Sequence, residues 1–460
     1  MINAGDTAWV LASAALVMLM TPGLAFFYGG MVRSKSVLNM LMMNFMALAV
    51  VSVIWMLYGF SLSFGDDAFG RVVGGLDHVG LADTWGKLAG FAATTVDPPV
   101  PWPGPDGIPV LSFVMFQLMF AVITPALISG AIADRTKFWS WVVFLVLWAT
   151  IVYFPVAHWV FSFDGFMGEN AAGGWIANKL KALDFAGGTA VHINAGAAGL
   201  ALAFVLGKRQ GWPKEPMRPH NVPLVLLGAS LLWFGWYGFN AGSALSAGDL
   251  AAVAFTNTTV ATAAAVLGWI IVEQFRDGKP TTLGAASGAV AGLVAVTPAC
   301  GYVSPLGATA IGVIAGVVCS LAVKLKYRLG FDDSLDVVAV HLFGGLVGTL
   351  LIGLFGTTSV NSLSANGLFY GGGLTQLGRQ AVAAFSVMGY SFVATLIIGL
   401  AIKYTIGFRV DTEDELAGID EAEHAESGYE LSGLLRGGSG LGSHSAQELT
   451  KIPATAGKEG

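Results

Sequence analysis

Two histidines stand in matching sequence surroundings and carry side chains suited to proton chemistry. The spacing D-x7-H-x3-G-x2-G occurs twice, as Asp184, His192, Gly196 and Gly199 and again as Asp333, His341, Gly345 and Gly348. Imidazole gains or loses a proton near neutral pH, and either ring nitrogen can donate or accept a hydrogen bond. The repeated pattern therefore predicts a histidine pair with a shared function.

Both histidines lie in long apolar runs. Hydrophobic residues form 55% of the 460 residues and charged residues only 11%, against about a quarter charged in ordinary soluble domains. About 20 apolar residues make a helix that crosses roughly 30 Å of hydrocarbon, and the runs are too continuous for the alternating strands of a membrane barrel. We predict an all-α membrane protein with eleven transmembrane helices, at 7–29, 37–64, 110–133, 138–163, 186–207, 222–246, 250–275, 283–303, 306–328, 335–356 and 381–408.

The two copies of the histidine pattern enter the membrane from opposite faces. Five spans separate Asp184 from Asp333, and an odd number reverses the direction, which is typical of inverted-repeat transporters. Each histidine lies about 9 Å along its helix at ~1.5 Å rise per residue, so the two rings can meet near the midplane. A lone transmembrane histidine would as readily be a packed core residue, but two at matched positions favour a functional pair.

The acidic residue of each copy stands at a predicted helix start. A carboxylate there accepts hydrogen bonds from the free N–H groups of the first turn. We expect Asp184 and Asp333 to have this capping role in preference to direct binding of a cation.

Basic residues indicate the orientation in the membrane. One set of connections, together with the segment beyond residue 400, holds 18 of the 23 Lys and Arg residues. The positive-inside rule makes that side cytoplasmic, which puts the N-terminus outside and the C-terminus inside a cytoplasmic membrane. The first span lacks the basic and small-residue flanks of a removable signal peptide.

The chain divides into two regions of different composition. We predict one transmembrane domain over 1–408 and a cytosolic tail over 409–460. The tail is acidic at 411–426 and then rich in Gly and Ser, so we expect it to be partly disordered.

Several functional classes are disfavoured by the sequence. The net charge of −6 and the lack of a basic patch argue against a nucleic-acid partner. Cys300 and Cys319 lie in or beside apolar runs, as packed core residues do, and predict neither a disulfide nor a metal site. The enzyme motifs HExxH and GxSxG are absent, so we expect neither an enzyme nor a cofactor.

Long motifs give the chain a family resemblance that covers nearly all of 1–430. It resembles ammonium transporters of the Amt/Mep/Rh family, nearer the bacterial Amt branch. The motifs are PGLAFFYGGMVRSKSVLNM, ISGAIADRTKF, DFAGGTAVHINAGAAGL, GWYGFNAGSA, FTNTTVATAAA and GLVAVTPACGYV. The resemblance implies two inverted five-helix halves plus a final helix, a homotrimer in membrane lipid, and one conduction path per subunit. It also implies that a PII-type signalling protein docks on the cytosolic tail.

The resemblance also assigns roles to individual residues. It implies an outer ammonium-binding site of Ser243, Phe120 and a third aromatic residue, with Asp184 as its support. It further implies a gate of Phe120 and Phe239, and a pore lined by His192 and His341 with Trp236 beside them. The third aromatic differs from the family pattern, because the chain reads AHWVF where many bacterial members have a Trp. Phe161, Trp159 and Trp175 are candidates, and we favour Phe161.

These assignments lead to a mechanistic hypothesis. Ammonium resembles potassium in size and charge, so selectivity must use its protons. A serine hydroxyl can accept an N–H bond, and each aromatic face attracts the cation by about 0.5–2 kcal/mol. Moving neutral ammonia through an apolar path costs far less than moving the cation, and no carboxylate lies at a predicted midspan. We expect deprotonation at the outer site and conduction of ammonia into the cytoplasm, with or without a separate proton relay. An ammonium sensor and a channel for a neutral gas such as carbon dioxide are the alternatives.

Overall fold

Eleven long helices fill most of the computed structural model, which describes residues 2–90 and 107–429. Ten of them are long and apolar enough to cross a membrane, and the eighth is a shorter apolar helix. In chain order, α1 to α11 are Ala4–Met31, Ser34–Phe64, Val110–Ile132, Phe138–Phe161, Gly188–Leu206, Val222–Gly242, Asp249–Asp277, Thr282–Val296, Pro305–Leu329, Val338–Phe355 and Thr375–Thr405. The predicted all-α membrane fold is confirmed.

The helix ends follow local sequence signals. Asn221 and Thr281 each accept a hydrogen bond from the backbone N–H three residues later, at 3.0 and 2.8 Å, and thereby cap α6 and α8. Helix α8 ends at Val296, seven residues before the predicted limit, where Pro298 cannot continue the ladder of backbone hydrogen bonds. The residues up to Tyr302 then form tight turns.

Small residues allow the helices to pack closely. Helix α9 lies against α7 at Gly312 and Gly316, where an added Cβ would come within 2.2 Å of the carbonyl oxygens of Ala261 and Ala265. This is how helices associate where lipid removes the hydrophobic driving force. We call the face at which α1 begins the N-face and the face at which α11 ends the C-face.

Four of the transmembrane helices contain a wide π-helical turn. The turns are Trp55–Gly59, Ala149–Tyr153, Gly188–Ile193 and Val338–Leu342. Such turns are rare and often mark functional positions. The last two contain His192 and His341 and open α5 and α10.

Outside the membrane helices the described structure consists mostly of loops. On the N-face, β1 (Leu88–Ala89) pairs antiparallel with β2 (Ile108–Pro109), and short helical turns occur at Val79–Leu81, Ile176–Leu180 and Leu368–Tyr370. The proline-rich predicted loop at 97–107 lies almost wholly outside the described residues. On the C-face two short helices follow α11, α12 (Thr412–Ala417) and α13 (Ile419–His424).

The described part of the tail, 409–429, packs on the C-face. Glu415 is fully buried and accepts hydrogen bonds from Arg409 Nη2 and from the backbone N–H of Gln210, both at 2.7 Å. The carboxylate of Asp420 accepts from the backbone N–H groups of Leu38 and Asn39 at 3.0 and 2.8 Å. The tail is thus tied to the start of α2 and to the loop between α5 and α6. The Gly- and Ser-rich end predicted from 430 onward lies outside the described residues.

A buried ion network lies beneath the tail. Asp332 accepts hydrogen bonds from Nε and Nη2 of Arg209 at 2.9 and 3.0 Å. Asp134 accepts one from Nη1 of the same guanidinium at 3.0 Å. Burial acts to raise the pKa of Asp332, but the hydrogen bonds and charge of Arg209 outweigh it, and the pKa lies below its ordinary value. This network joins three loops of the C-face.

Candidate functional site

The two histidines meet in the centre of the molecule. His192 on α5 and His341 on α10 are both almost completely buried. Their ring centroids lie 5.4 Å apart with planes 20° from parallel, and their Nδ1 atoms lie 3.3 Å apart. One Nδ1 can therefore donate to the other when the rings hold complementary protonation states.

Glycines permit this meeting. A Cβ on Gly196 would lie 2.4 Å from the backbone nitrogen of Leu342, and a Cβ on Gly345 would lie 3.0 Å from the carbonyl oxygen of Gly188. Each of these glycines therefore lets one histidine helix touch the other. The first glycine of each copy of the sequence pattern thus lies at the crossing of α5 and α10, whereas the second glycine of the α10 copy, Gly348, packs against Ala295 of α8.

Asp184 holds the start of α5 in place. Its carboxylate accepts from the backbone N–H groups of Gly187, Gly188 and Thr189 at 2.7, 2.8 and 2.8 Å, and from the hydroxyl of Thr189. Burial raises its pKa, while these hydrogen bonds oppose the rise. Asp333 makes a related cap at α10, accepting from Val337 and Val338 at 3.1 and 2.7 Å.

A column of stacked rings runs from the histidines towards the N-face. Phe120 on α3 and Phe239 on α6 stack with centroids 4.2 Å apart. Phe239 lies 6.0 Å from the ring of His192, and Trp236 stacks on the same imidazole at 5.5 Å. The indole nitrogen of Trp236 donates to Thr297 at 2.8 Å, which fixes that ring.

Small cavities lie on both sides of the phenylalanine pair. The outer cavity has about 30 Å³ and is bordered by Phe116, Gln117, Phe120, Phe161, Asp184, Phe185, Ser243 and Tyr302 among others. The inner cavity has about 10 Å³ and is lined by the two histidines and by apolar residues of five helices. About 10–15 Å³ is the least that holds one water, so both cavities suit molecules of water size.

The predicted site residues divide between the two cavities. Phe120, Phe161, Asp184 and Ser243 border the outer cavity, and Trp236, His192 and His341 border the inner one together with Phe239. Every predicted site residue thus borders one of the two cavities that flank the Phe120–Phe239 pair.

The three candidates for the third aromatic lie in different places. Phe161 borders the outer cavity with its centroid 6.2 Å from that of Phe120, edge to face. Trp159 packs against Trp175 and Tyr390, and its indole nitrogen donates to the carbonyl of Val72 at 2.7 Å. Neither tryptophan borders the outer cavity.

Sequence reasoning missed several residues that border the outer cavity. Gln117 and Phe116 border the outer cavity, and both lie in the segment FVMFQLMF, whose glutamine is unusual inside a span. Tyr302 also borders the outer cavity. Together with Asp184 and Phe185, it also lines a wider cavity of about 490 Å³ on the N-face. The wider cavity depends on loop packing, which carries no simple sequence signal.

Comparison with known proteins agrees with this architecture. The model of the Ammonium Transporter Family matches residues 8–429. The chain is 62% identical over 442 residues to an ammonium transporter of Mycobacterium tuberculosis, covering 94% of this chain and 91% of that protein.

Solved structures are also similar to the chain. The crystal structure of Candida albicans Mep2 is 33% identical with a TM-score of 0.79, covering 90% of this chain and 88% of that one. A structure named Sensor Amt Protein is 29% identical with a TM-score of 0.79, covering 91% and 98%. By sequence and by fold, the chain belongs to the ammonium transporter family.

Proposed function

We propose that the protein transports ammonium into the cytoplasm, binding the cation at the outer cavity and conducting ammonia past the histidine pair. The observation that supports this most is the ring column Phe120, Phe239, His192 and His341, which has a cavity of water size on each side of its phenylalanine pair. A path this narrow, with apolar walls, favours a small neutral molecule over an ion.

The outer cavity would concentrate the cation. Aromatic faces such as those of Phe120 and Phe161 attract a cation by about 0.5–2 kcal/mol each, and the hydroxyl of Ser243 has lone pairs for an N–H donor. Asp184 acts by holding the α5 start, because its carboxylate is engaged by that backbone.

Deprotonation would then separate ammonium from potassium. Within the described residues no carboxylate lines the inner cavity, so an intact cation there would lack a counter-charge. Ammonium can leave its proton behind and proceed as ammonia, whereas potassium cannot. The imidazoles offer hydrogen-bond donors and acceptors along an otherwise apolar path, and they provide a route for a separately relayed proton.

The setting of the transporter is part of the proposal. We infer a homotrimer in the cytoplasmic membrane, with the N-face outside and the C-face in the cytoplasm. The tail packed on the C-face would be the contact for a PII-type signalling protein.

Flux measurements in proteoliposomes test the transport proposal. We expect the wild-type protein to pass ammonium and exclude potassium, and His192→Ala/His341→Ala to lose that selectivity. His78→Ala, in a loop of the N-face, is the matched control. Unchanged selectivity in the double variant would refute the role of the pair, and a current on an ammonium jump would show that charge crosses with the nitrogen.

An ammonium sensor is the second candidate function, favoured by the likeness to the structure named Sensor Amt Protein. The same liposomes separate the two functions. Ammonium binding without any flux would support the sensor.

A further inference from the structure

Gln117 brings an amide oxygen that has no hydrogen-bond partner among the described residues to the aromatic outer cavity. The residue is only 8% exposed and borders the cavity with Phe116 and Phe120. Its Oε1 atom is buried and accepts no hydrogen bond from residues 2–90 or 107–429. A buried polar atom without a partner costs about 1–3 kcal/mol, so such an atom beside a cavity calls for a ligand.

The position of Gln117 parallels that of Ser243. On α3, Gln117 precedes the gate residue Phe120 by three residues, which is about 4.5 Å towards the N-face at ~1.5 Å per residue. On α6, which runs the opposite way, Ser243 follows Phe239 by four residues, about 6 Å towards the same face. Each gate phenylalanine thus has one polar residue a single turn outside it, on the same side of its helix.

The Asp184 carboxylate and the Ser243 hydroxyl at this cavity already take part in hydrogen bonds. Asp184 accepts several hydrogen bonds from the start of α5. Ser243 Oγ donates to the carbonyl of Phe239 at 2.8 Å, which orients the hydroxyl and leaves its lone pairs free. One hydroxyl alone would satisfy only one of the four N–H donors of ammonium.

We propose that Oε1 of Gln117 is a second hydrogen-bond acceptor for ammonium in the outer cavity, opposite Ser243. This inference rests on the proposed transport function and adds a binding residue to it. Two acceptors on two helices, with aromatic faces between them, match a tetrahedral donor of water size in a cavity of about 30 Å³. An amide gives an acceptor without a fixed charge, so the cation is held and can still leave.

Substitutions at this position separate binding from folding. Gln117→Leu removes the acceptor and keeps the approximate volume, whereas Gln117→Glu keeps an acceptor oxygen. Gln274→Leu, at an exposed glutamine near the C-face end of α7, is the matched control. Ammonium-evoked current and thermal unfolding are measured for each purified variant in the same lipid.

We expect Gln117→Leu to raise the KM for ammonium at least about tenfold, with little change in maximal current. The same variant is expected to unfold at a higher Tm, because it replaces a buried amide whose oxygen lacks a partner among the described residues with an apolar group. A merely structural role for Gln117 predicts a lower Tm instead. Gln117→Glu and Gln274→Leu are expected to keep a KM no higher than that of the wild type.

The outcomes separate the two proposals. An unchanged KM in Gln117→Leu, beside a normal wild-type current, overturns the assignment of Gln117 and leaves transport standing. If the wild-type protein gives neither current nor flux, both proposals are overturned. If Gln117→Leu does not fold, a Gln117→Glu KM raised tenfold, at normal Tm, also overturns the assignment.

Discussion

The Nδ1 atoms of His192 and His341 lie 3.3 Å apart, so only one of them can carry the hydrogen of the bond between them. Whichever ring donates at Nδ1, the other must accept there. The protonation states of the two rings are therefore linked, and a change at either ring changes the other.

This linkage predicts non-additive effects of substitution. We expect His192→Ala and His341→Ala each to lower ammonium flux at least about tenfold, since each leaves the remaining imidazole without its partner. The double variant is expected to lose less than the product of the two single losses. Initial flux rates in proteoliposomes measure the cycle, and losses that multiply would contradict a coupled pair.

Asp184 should contribute mainly through the position of α5. Asp184→Ala leaves three backbone N–H groups of a buried helix start without an acceptor, which we expect to cost at least about 3 kcal/mol and to abolish transport. Asp184→Asn keeps one acceptor oxygen. Its stability and its transport rate should fall between those of Asp184→Ala and those of the wild type. Chemical unfolding in detergent and flux provide the comparison, and equal stability of all three proteins would refute the positional role.

Release of the tail should follow loss of Glu415. Glu415→Ala removes the acceptor of Arg409 and of the backbone of Gln210, so the tail should leave the C-face more often. We expect the amides of Leu38 and Asn39, which Asp420 protects, to exchange hydrogen at least about tenfold faster. Glu413→Ala on the exposed side of α12 is the control. Equal exchange in both variants would show that Glu415 does not hold the tail.

The stability of the protein should depend on pH through Asp333. Burial raises the pKa of Asp333 to about 6; Asp336 adds to the rise and Lys326 opposes it. The unfolded chain releases this proton near pH 4. The contribution to stability is thus complete below about pH 4 and is lost as the pH rises through about 6.

Asp333→Asn tests this dependence because it cannot titrate. Its Tm should fall less than that of the wild type between about pH 4.5 and 7.5, and Asp83→Asn on an exposed loop should behave as the wild type does. Parallel curves for Asp333→Asn and the wild type would contradict the raised pKa.

The sequence predicts the helices and the histidine pair because their signals are local or repeated. Long apolar runs mark helices whatever they pack against, and the repeated spacing around His192 and His341 places both at similar depths. The π-helical turns carry no such signal. Two of the four lie where α5 and α10 cross, and only the packed structure shows that crossing.

Gln117 and Glu415 illustrate the same difference. In the sequence, Gln117 is one polar residue in an apolar run, and Glu415 is one acid among many in an acidic segment. The role of each side chain depends on its burial, and that burial is produced by residues that are distant in the sequence. The sequence alone predicts that an acidic segment is exposed to solvent. In the structure, one of its carboxylates is buried and accepts hydrogen bonds from Arg409 and Gln210.

The crossing at Gly196 and Gly345 also has an evolutionary consequence. Any heavier residue at Gly196 would meet the backbone of Leu342, and backbone cannot be exchanged by mutation. A side chain at Gly196 therefore requires α5 and α10 to move apart, which would separate the imidazoles, whereas a Cβ on Gly345 would lie 3.0 Å from the carbonyl oxygen of Gly188 and requires a smaller displacement. Inheritance of the histidine arrangement is thus constrained most at Gly196, a residue that has no side chain at all.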